Sequence, residues 1–242
     1  MYKGLKIEPP FFEIGPKAFM YGERMLKLAK AADVASAKYN VRIILTPQYT
    51  DIWMLAKETE NLLIFAQHMD PLPVGRGLGA ILPEAVKAAG AVGVMLNHAE
   101  KPVGMSTLYQ TIKRADETGL ATIVCADTIE EAQAIAHFAP NIILAEPTRL
   151  IGTGQPGDEE YVVETTSAIK NINPEILVLQ SAGISNGNDV YRVIKAGADA
   201  TGTTSGIMKA ADPEAMLDEM VSAVRAAWDE RFSGRIKKRN MY

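Results

Sequence analysis

Three polar side chains stand directly after apolar runs and have the types needed for proton transfer next to a carbonyl group. Glu146 can remove a proton from the carbon beside the carbonyl, and His98 can polarise the carbonyl oxygen. Lys17 can place a positive charge beside the enediolate that forms. Each side chain alone also has an ordinary structural or surface role, but the three follow the first, fourth and sixth apolar runs. In combination they predict an enolisation, which also requires a site that excludes water.

Two stretches of small and hydroxyl-bearing residues follow the seventh and eighth apolar runs. They read Ser181-Ala182-Gly183 and Gly202-Thr203-Thr204-Ser205-Gly206. Glycine lets backbone N–H groups approach an anion closely, and loops at these two places in an α/β barrel commonly hold phosphate. Tight turns use the same residue types, so composition leaves both interpretations open. The phosphate interpretation fits the enolisation of a small phosphorylated sugar.

Strands and helices must alternate along the chain to position these groups. Short apolar runs rich in β-branched residues are separated by longer stretches of helical period. Most of the runs are uniformly apolar, as expected for parallel strands that are covered on both faces. The eight predicted strands span residues 11–14, 42–46, 62–66, 92–96, 121–125, 141–145, 176–179 and 198–201.

The stretches between the strands show helix faces and helix starts. Tyr21, Met25 and Leu28 fall at positions i, i+4 and i+7, which is the spacing of one buried helix face. Thr128 and Glu131 have the spacing of a capping box at the start of a helix. These signals predict helices that begin shortly after the strands end.

Eight strand–helix units can form a closed (β/α)8 barrel or an open sheet with helices on both faces. No glycine-rich dinucleotide-binding pattern follows the first strand. Polar and glycine clusters follow many strands rather than one switch point, which favours the barrel. In a barrel the loops after all the strands open at one end, so Glu146, His98 and Lys17 are expected to meet there.

Composition restricts the classes of protein that this chain can belong to. The 242 residues are 48% apolar and 22% charged, as in ordinary globular proteins, and no compositional break divides them. We therefore predict a single domain over residues 1–242. The net charge of −4 gives no basic field for nucleic acid, and no apolar run is long enough to span a membrane. The one cysteine, Cys125, cannot form an intrachain disulfide, which fits a reducing cytoplasm.

The exception to the acidic balance is a basic tail that begins near residue 231. We interpret it as a solvated chain end rather than as an anion-binding segment. Its charged residues are Arg231, Arg235, Lys237, Lys238 and Arg239.

Six segments, in order along most of the chain, resemble triosephosphate isomerase, most of all its short archaeal-type form. The segments around His98 and Glu146 are highly specific in combination. The resemblance covers AQHMD at 66–70, ILPEAVKAAGAVGVMLNHAE at 81–100, VCA at 124–126, AEPTRLIGTG at 145–154, SAGIS at 181–185 and TTSGIMKAADP at 203–213.

The resemblance implies an aldose–ketose isomerase that needs no cofactor and no metal. By motif, Glu146 corresponds to the family's base, His98 to its neutral electrophilic imidazole and Lys17 to its active-site lysine. Glu100 occupies the place of the glutamate two residues after the catalytic histidine. The stretch 147–154 resembles the family's closing lid. The residues that would contact the phosphate are Gly152, Ser181, Gly183, Thr204 and Ser205. A homo-oligomer, dimer or tetramer, is implied in the same way.

The chain departs from the family pattern at four places. The first-strand motif, asparagine–any residue–lysine, reads Gly15-Pro16-Lys17, so a substrate-contacting amide is missing. We expect this loss to enlarge the site on the side away from the phosphate loops. In the third loop, where the family has a threonine that crosses to a partner subunit, residues 75–79 read GRGLG. Ala99 replaces the usual serine, and Arg149 stands in the lid in place of a glutamate or an apolar residue.

These departures leave alternatives to a triose phosphate substrate. A lost contact can shift substrate preference, so a tetrulose or branched ketose phosphate is one alternative. A barrel that binds a phosphorylated metabolite without turning it over is another. A Schiff-base lyase would need a lysine on a middle strand, and the sixth predicted strand, 141–145, has none. His68, His98 and His137 show no ligand spacing that would indicate a metal enzyme.

Overall fold

Eight parallel strands pair in chain order, and the first also pairs with the last, so that the sheet closes into a barrel. The structure, a computed structural model, describes residues 1–154 and 157–239, with the backbone alone from residue 234 onward. The (β/α)8 barrel predicted from the sequence is confirmed. The strands are β1 (Phe11–Ile14), β2 (Arg42–Leu45), β3 (Leu62–Ala66), β4 (Gly93–Leu96), β5 (Ala121–Ala126), β6 (Ile142–Ala145), β7 (Leu177–Gln180) and β8 (Ala200–Thr203).

At least one helix follows each strand and covers the outside of the barrel. Over the residues that the structure describes, none of these helices combines the length and the apolar character needed to cross a membrane. The helices are α1 (Gly22–Tyr39), α2 (Ile52–Glu58), α3 (Pro83–Ala88), α4 (Met105–Thr118), α5 (Ile129–Ala136), α6 (Glu159–Ile172), α7 (Gly187–Ala196), α8 (Ser205–Met208) and α9 (Pro213–Arg239).

The alternation of side chains along each strand divides the core into two layers. On β1, Phe12 and Ile14 belong to the buried cluster between strands and helices, whereas Phe11 belongs to the cluster that fills the barrel interior. Leu144 of β6 and Leu179 of β7 also lie in the interior cluster. A residue two positions further along a strand faces the same side. Polar residues at these continued positions therefore face the mouth of the barrel.

The eighth strand lies two residues further along the chain than predicted. The apolar pattern indicates 198–201, but the ladder with β1 runs over Ala200–Thr203, with Thr203 opposite Ile14. Gly202 and Thr203, which the sequence assigns to a loop, are therefore strand residues. A hydrophobic pattern does not mark small and hydroxyl-bearing residues, although their backbone pairs equally well in a sheet. The other seven predicted strands agree with the structure within one residue at each end.

The start of α5 uses the predicted capping residue, but the second half of the capping box is displaced. The Thr128 hydroxyl oxygen accepts a hydrogen bond from the N–H of Glu131, at 3.1 Å. The Glu131 carboxylate accepts from the N–H of Asp127, at 2.8 Å, rather than from that of Thr128. Its other oxygen accepts from the Asn97 side chain, at 3.0 Å. Glu131 thus ties the loop after β5 to the loop after β4.

Tyr21 does not lie on the buried face of α1. It is the residue before the helix, and 71% of it is exposed. Met25 and Leu28 are buried as predicted. The spacing of Tyr21 matches the buried face, but the helix begins only after this residue. The predicted face therefore included one residue too many at its N-terminal end.

Arg231 is not part of a free chain end. Helix α9 continues past it to Arg239, and its guanidinium donates hydrogen bonds to the carbonyl oxygens of Ile194 and Ala198, at 3.2 and 2.9 Å. This residue fastens α9 to the segment that connects α7 with β8. The side chains of the other basic residues in the predicted tail, Arg235, Lys237, Lys238 and Arg239, lie outside the described residues.

Candidate active site

A cavity of about 330 Å³ opens at the carboxyl ends of the strands. Of the nine site residues predicted from the sequence, six line this cavity. Gly152, Gly183 and Ser205 lie outside its wall. The six that the fold brings together are Lys17, His98, Glu100, Glu146, Ser181 and Thr204.

Glu146 faces the cavity because it continues the inward alternation of β6, two residues beyond Leu144. Its Oε1 accepts a hydrogen bond from the Ser181 hydroxyl, at 3.1 Å. Burial raises the pKa of the Glu146 carboxyl above its usual value, and the charge of Lys17 and the Ser181 hydrogen bond act in the opposite direction. A carboxylate with a raised pKa is a stronger base. Ala99, which stands where the family has a serine, has no hydroxyl group. The hydroxyl that contacts Glu146 belongs to Ser181.

His98 lies in the loop after β4, beside a backbone turn at Asn97, whose φ is 59°. The Asn97 side chain holds this turn, because its amide donates to the Cys125 carbonyl oxygen at 3.0 Å and its oxygen accepts from the N–H of Val103 at 2.9 Å. Asparagine tolerates the left-handed region better than most residues. The His98 ring is thereby fixed at the cavity wall.

The protonation of His98 follows from its contacts. Its Nδ1 accepts a hydrogen bond from the N–H of Glu100, at 3.0 Å, so in the neutral ring Nε2 carries the proton. Burial lowers the pKa of His98, the charge of Lys17 lowers it further, and Glu100 acts in the opposite direction. The Nε2 atom lies 3.7 Å from Glu146 Oε2. A neutral imidazole donor and a carboxylate base therefore face the same volume.

Lys17 adopts a left-handed backbone conformation, with φ of 48°. Its carbonyl oxygen accepts hydrogen bonds from the side-chain amides of Gln48 and Gln67, at 2.6 and 3.0 Å. Strained backbone of this kind persists where neighbouring groups hold it, and it is concentrated at functional sites. The Lys17 ammonium donates to Glu100 Oε1, at 2.7 Å, and this contact holds the pKa of Glu100 below its usual value.

The predicted lid begins with a 3₁₀ turn, Thr148–Leu150, directly after Glu146. The N–H of Thr148 donates to Asp127 Oδ1, at 2.5 Å, which fastens the start of the lid to the loop after β5. Gly152 has a φ of 74° and is exposed to solvent. Its amide is therefore available at the surface of the barrel mouth rather than within the cavity.

The predicted phosphate cradle is assembled in part. Ser181 and Thr204 line the cavity from the ends of β7 and β8. Gly183 is buried with a φ of 73°, and Ser205 opens the short helix α8. These residues stay predicted phosphate contacts, since their roles follow from the resemblance rather than from the geometry.

Several polar residues of the cavity wall were not predicted from the sequence, and the most deeply buried acid among them is Glu13 of β1. It is 3% exposed, and its Oε1 accepts a hydrogen bond from the Thr46 hydroxyl, at 2.9 Å. Burial raises the pKa of the Glu13 carboxyl to about 8. A glutamate inside an otherwise apolar strand was the available signal, because glutamate is almost never fully buried without a partner.

Gly15 does not leave open space on the side away from the phosphate loops, as the sequence analysis expects. A Cβ atom on Gly15 would lie 3.1 Å from Glu13 Oε1 and 3.2 Å from Thr204 Oγ1. The position is therefore next to a predicted phosphate residue and is bordered by the Glu13 carboxyl. The sequence alone does not show that Glu13 and Gly15 are close. Their proximity becomes apparent only when the strand alternation of β1 is known.

The sequence of this chain is similar to sequences of known proteins over most of its length. The sequence model of the family described as triosephosphate isomerase matches residues 17–223. A triosephosphate isomerase of Methanobacterium bryantii is 42% identical over 206 residues, which cover 84% of this chain and 91% of that protein. The triosephosphate isomerase of Saccharolobus solfataricus is 37% identical over 225 residues, which cover 91% and 99%. That of Sulfurisphaera tokodaii is 35% identical over 229 residues, which cover 93% and 100%. The chain belongs to the triosephosphate isomerase family.

Proposed function

We propose that this chain interconverts D-glyceraldehyde 3-phosphate and dihydroxyacetone phosphate, with Glu146 as the base and His98 as the electrophile. The observation that carries this assignment is the distance of 3.7 Å between His98 Nε2 and Glu146 Oε2 in one cavity that also holds Lys17. A base and a proton donor that face one cavity can act together on a substrate carbonyl and its neighbouring carbon. The names of the relatives support a triose phosphate as the substrate.

The reaction follows from the protonation of the three groups. The Glu146 carboxylate takes the proton from the carbon next to the carbonyl, and the electron pair moves onto the carbonyl oxygen. The neutral His98 ring donates its Nε2 proton towards that oxygen, and Lys17 stabilises the negative charge. His98 recovers a proton from the hydroxyl group on the neighbouring carbon, whose oxygen becomes the new carbonyl oxygen. Glu146 returns its proton to the original carbonyl carbon, so the isomerisation is completed without net gain or loss of atoms. The raised pKa of Glu146 favours the first proton transfer, because it makes the carboxylate a stronger base.

Phosphate recognition belongs to the same proposal. Ser181 and Thr204 face the cavity, and closure of the lid would bring the Gly152 amide towards the phosphate of the bound substrate. Closure would also exclude water from the enediolate. Gly183 and Ser205 complete the proposed set of phosphate contacts. No cofactor or metal is required for the proton transfers described, and this expectation stays a prediction.

The alternatives gain no support from the site. Strand β6, Ile142–Ala145, carries no lysine for a Schiff base. A tetrulose or branched ketose phosphate was suggested by the loss of a side chain at Gly15, but the Glu13 carboxyl borders that position. A barrel that only binds a metabolite would not need a base and a neutral imidazole directed at one volume.

We further propose a homo-oligomer, dimer or tetramer, in the cytoplasm. The loop after β3 exposes the apolar side chains of Val74 and Leu78, with relative exposures of 71% and 109%. Such side chains at a loop tip support burial against a second copy of the chain. The unpaired, buried thiol of Cys125 fits a reducing compartment.

The experiment that tests the roles is the substitution Glu146→Gln, which keeps the shape of the side chain and removes the base. We expect kcat for D-glyceraldehyde 3-phosphate to fall by about 10²–10⁴-fold, with little change in KM. Glu164→Gln, on the exposed face of α6, is the matched control and should leave kcat unchanged. A Glu146→Gln variant with near-normal kcat would remove Glu146 from the role of base.

A further inference from the structure

Glu13 is a buried carboxyl group to which the family resemblance gives no role. It lies in the middle of β1, between Phe12 and Ile14, and it faces the barrel axis together with Phe11. Only 3% of the residue is exposed, and that exposure is to the cavity which also holds His98. A strand position that faces a barrel core would ordinarily carry an apolar side chain. Glu13 thus needs an explanation other than packing.

Two glycines leave the volume that the Glu13 carboxyl occupies. Gly202 of β8 stands opposite Glu13 in the strand register, and a Cβ atom there would lie 2.5 Å from the Glu13 carbonyl oxygen, 2.8 Å from its Cβ and 3.0 Å from its Oε2. A Cβ atom on Gly15 would lie 3.1 Å from Glu13 Oε1. Any larger residue at either position would crowd the carboxyl group. The local sequence therefore accommodates this carboxyl at the floor of the cavity.

Only one of the two carboxyl oxygens of Glu13 is hydrogen-bonded within the described part of the chain. Oε1 accepts from the Thr46 hydroxyl, at 2.9 Å. Oε2 has no partner among residues 1–154 and 157–233, for which side chains are described. A carboxyl oxygen on a cavity wall that has no hydrogen-bond partner in the protein is free to bond a ligand or a water molecule there. The cavity is the place from which such a partner can reach Oε2.

We propose that Glu13 is a specificity-determining residue of the isomerase, whose second carboxyl oxygen hydrogen-bonds an oxygen of the sugar phosphate bound in the cavity. This inference rests on the proposed function of the site. The carboxyl group borders the position where Gly15 offers no side chain, so it supplies the polar contact from a β1 residue two positions earlier in the chain. This contact selects a substrate that has a hydroxyl or carbonyl oxygen within hydrogen-bond distance of Glu13 Oε2.

The protonation of Glu13 determines the direction of this hydrogen bond. Burial raises the pKa of the carboxyl to about 8, and the charge of Glu146 raises it, whereas the Thr46 hydrogen bond and the charge of Lys17 lower it. The groups that face the Glu13 carboxyl are thus Thr46 after β2, Lys17 after β1 and Glu146 after β6. The Cys125 thiol of β5 also faces it, and Glu13 contributes to raising the pKa of that thiol. At neutral pH the acid carries its proton and donates. Above pH 8 it becomes a carboxylate, which would repel a substrate phosphate and the enediolate.

Two substitutions separate hydrogen bonding from ionisation. Glu13→Gln keeps a donor that can face the substrate and an oxygen for Thr46, but it cannot ionise. Glu13→Leu keeps a similar volume and removes both properties. With D-glyceraldehyde 3-phosphate as the probe at pH 7, we expect kcat/KM to fall by about 3- to 10-fold for Glu13→Gln and by at least about tenfold more for Glu13→Leu, mainly through KM.

The pH profile is the measurement that a purely structural role would not change. As pH rises through about 8, the ratio of wild-type to Glu13→Gln kcat/KM should fall, because only the wild type acquires a charge at residue 13. Superimposable profiles of wild type and Glu13→Gln would overturn the proposal, and so would a KM of the Glu13→Leu variant within twofold of wild type. If Glu13→Leu fails to fold by circular dichroism, the Glu13→Gln profile alone decides.

The same series distinguishes this proposal from the function on which it rests. A wild type without isomerase activity would overturn both. Suppose that the wild type is active, that Glu146→Gln loses this activity, and that Glu13→Gln has the same pH profile as the wild type. This result would overturn only the role of Glu13.

Discussion

At the scale of single residues, Glu13 and Glu146 are two buried carboxyl groups that face the same cavity, and burial raises the pKa of both. Glu146 has two influences that favour its ionised form, the Lys17 ammonium and the Ser181 hydroxyl, and these act against the effect of burial. Glu13 is more deeply buried, and the Thr46 hydroxyl is the largest influence that favours its ionised form. The Lys17 ammonium and the Ser181 hydroxyl thus favour the carboxylate form that the proposed role of Glu146 as a base requires.

Glu13 is expected to make the stability of the fold depend on pH. Its pKa is about 8 in the folded chain and near 4.5 when exposed, so between these values the unfolded chain releases a proton that the folded chain retains. The free energy of unfolding of the wild type, relative to Glu13→Gln, should therefore fall as pH rises from 4.5 to 8. At about 1.4 kcal/mol per pKa unit, the fall can reach about 5 kcal/mol.

Thermal or urea unfolding at pH 5 and at pH 8, without substrate, checks this dependence. Glu164→Gln, which changes an exposed carboxyl on α6, is the control for a general effect of losing one charge. Stability curves of wild type and Glu13→Gln that run parallel over this range would show that Glu13 is ionised in the folded chain.

The sequence predicted Glu146, His98 and Lys17 because they follow apolar runs, and the family resemblance added Glu100. The structure brings all four to one cavity. The sequence did not predict Glu13, since a single acid inside a four-residue strand does not alter the apolar pattern of that strand. The orientation of such a residue is determined by strand alternation, and its protonation by burial. Both become known only when the register of β1 with β2 and β8 is known.

At the scale of elements, the loops after β4, β5 and β6 are joined behind the site. Asn97 donates to Glu131, Glu131 accepts from the N–H of Asp127, and Asp127 accepts from the N–H of Thr148 at the start of the lid. This chain of hydrogen bonds connects the turn that carries His98 to the loop that follows Glu146. It thereby holds the two proposed catalytic groups in a fixed relation while the exposed part of the lid remains free to close.

Gly152 is the lid residue at which a substitution should be most informative. Its φ of 74° is unfavourable for a residue with a side chain, and a bulky side chain would stand beside the amide proposed to contact phosphate. We expect Gly152→Val to raise the inhibition constant of inorganic phosphate by about tenfold or more, the size of one lost charge-assisted hydrogen bond.

Competitive inhibition by phosphate at fixed pH measures this effect. Thr153→Ala, a change in the adjacent lid residue that keeps its backbone amide, is the control and should have a much smaller effect. An unchanged inhibition constant in Gly152→Val would mean that the lid does not contact the anion.

The sequence located the elements well wherever apolar residues mark them. Seven strands were predicted within one residue, but β8 was not, because Gly202 and Thr203 continue the ladder with small and polar side chains. The displaced capping box of α5 could not be predicted either. Glu131 reaches Asp127 and Asn97 only because the loops after β4 and β5 are neighbours in the closed sheet.

At the scale of the whole molecule, closure of the barrel is what assembles the site. Residues from β1, β4, β6, β7 and β8 contribute to one cavity only because β1 pairs with both β2 and β8. An open sheet would place the ends of β1 and β6 far apart. The sequence favoured closure from the distribution of polar clusters over many loops, and the function depends on that closure.

The most direct test of the account is kcat/KM for D-glyceraldehyde 3-phosphate, measured on the purified chain from an expression host that lacks its own triosephosphate isomerase. The closed site with Glu146, His98 and Lys17 predicts a value that approaches the diffusional ceiling of about 10⁸–10⁹ M⁻¹s⁻¹. A value thousands of times lower would contradict the assignment of triose phosphates as the substrates.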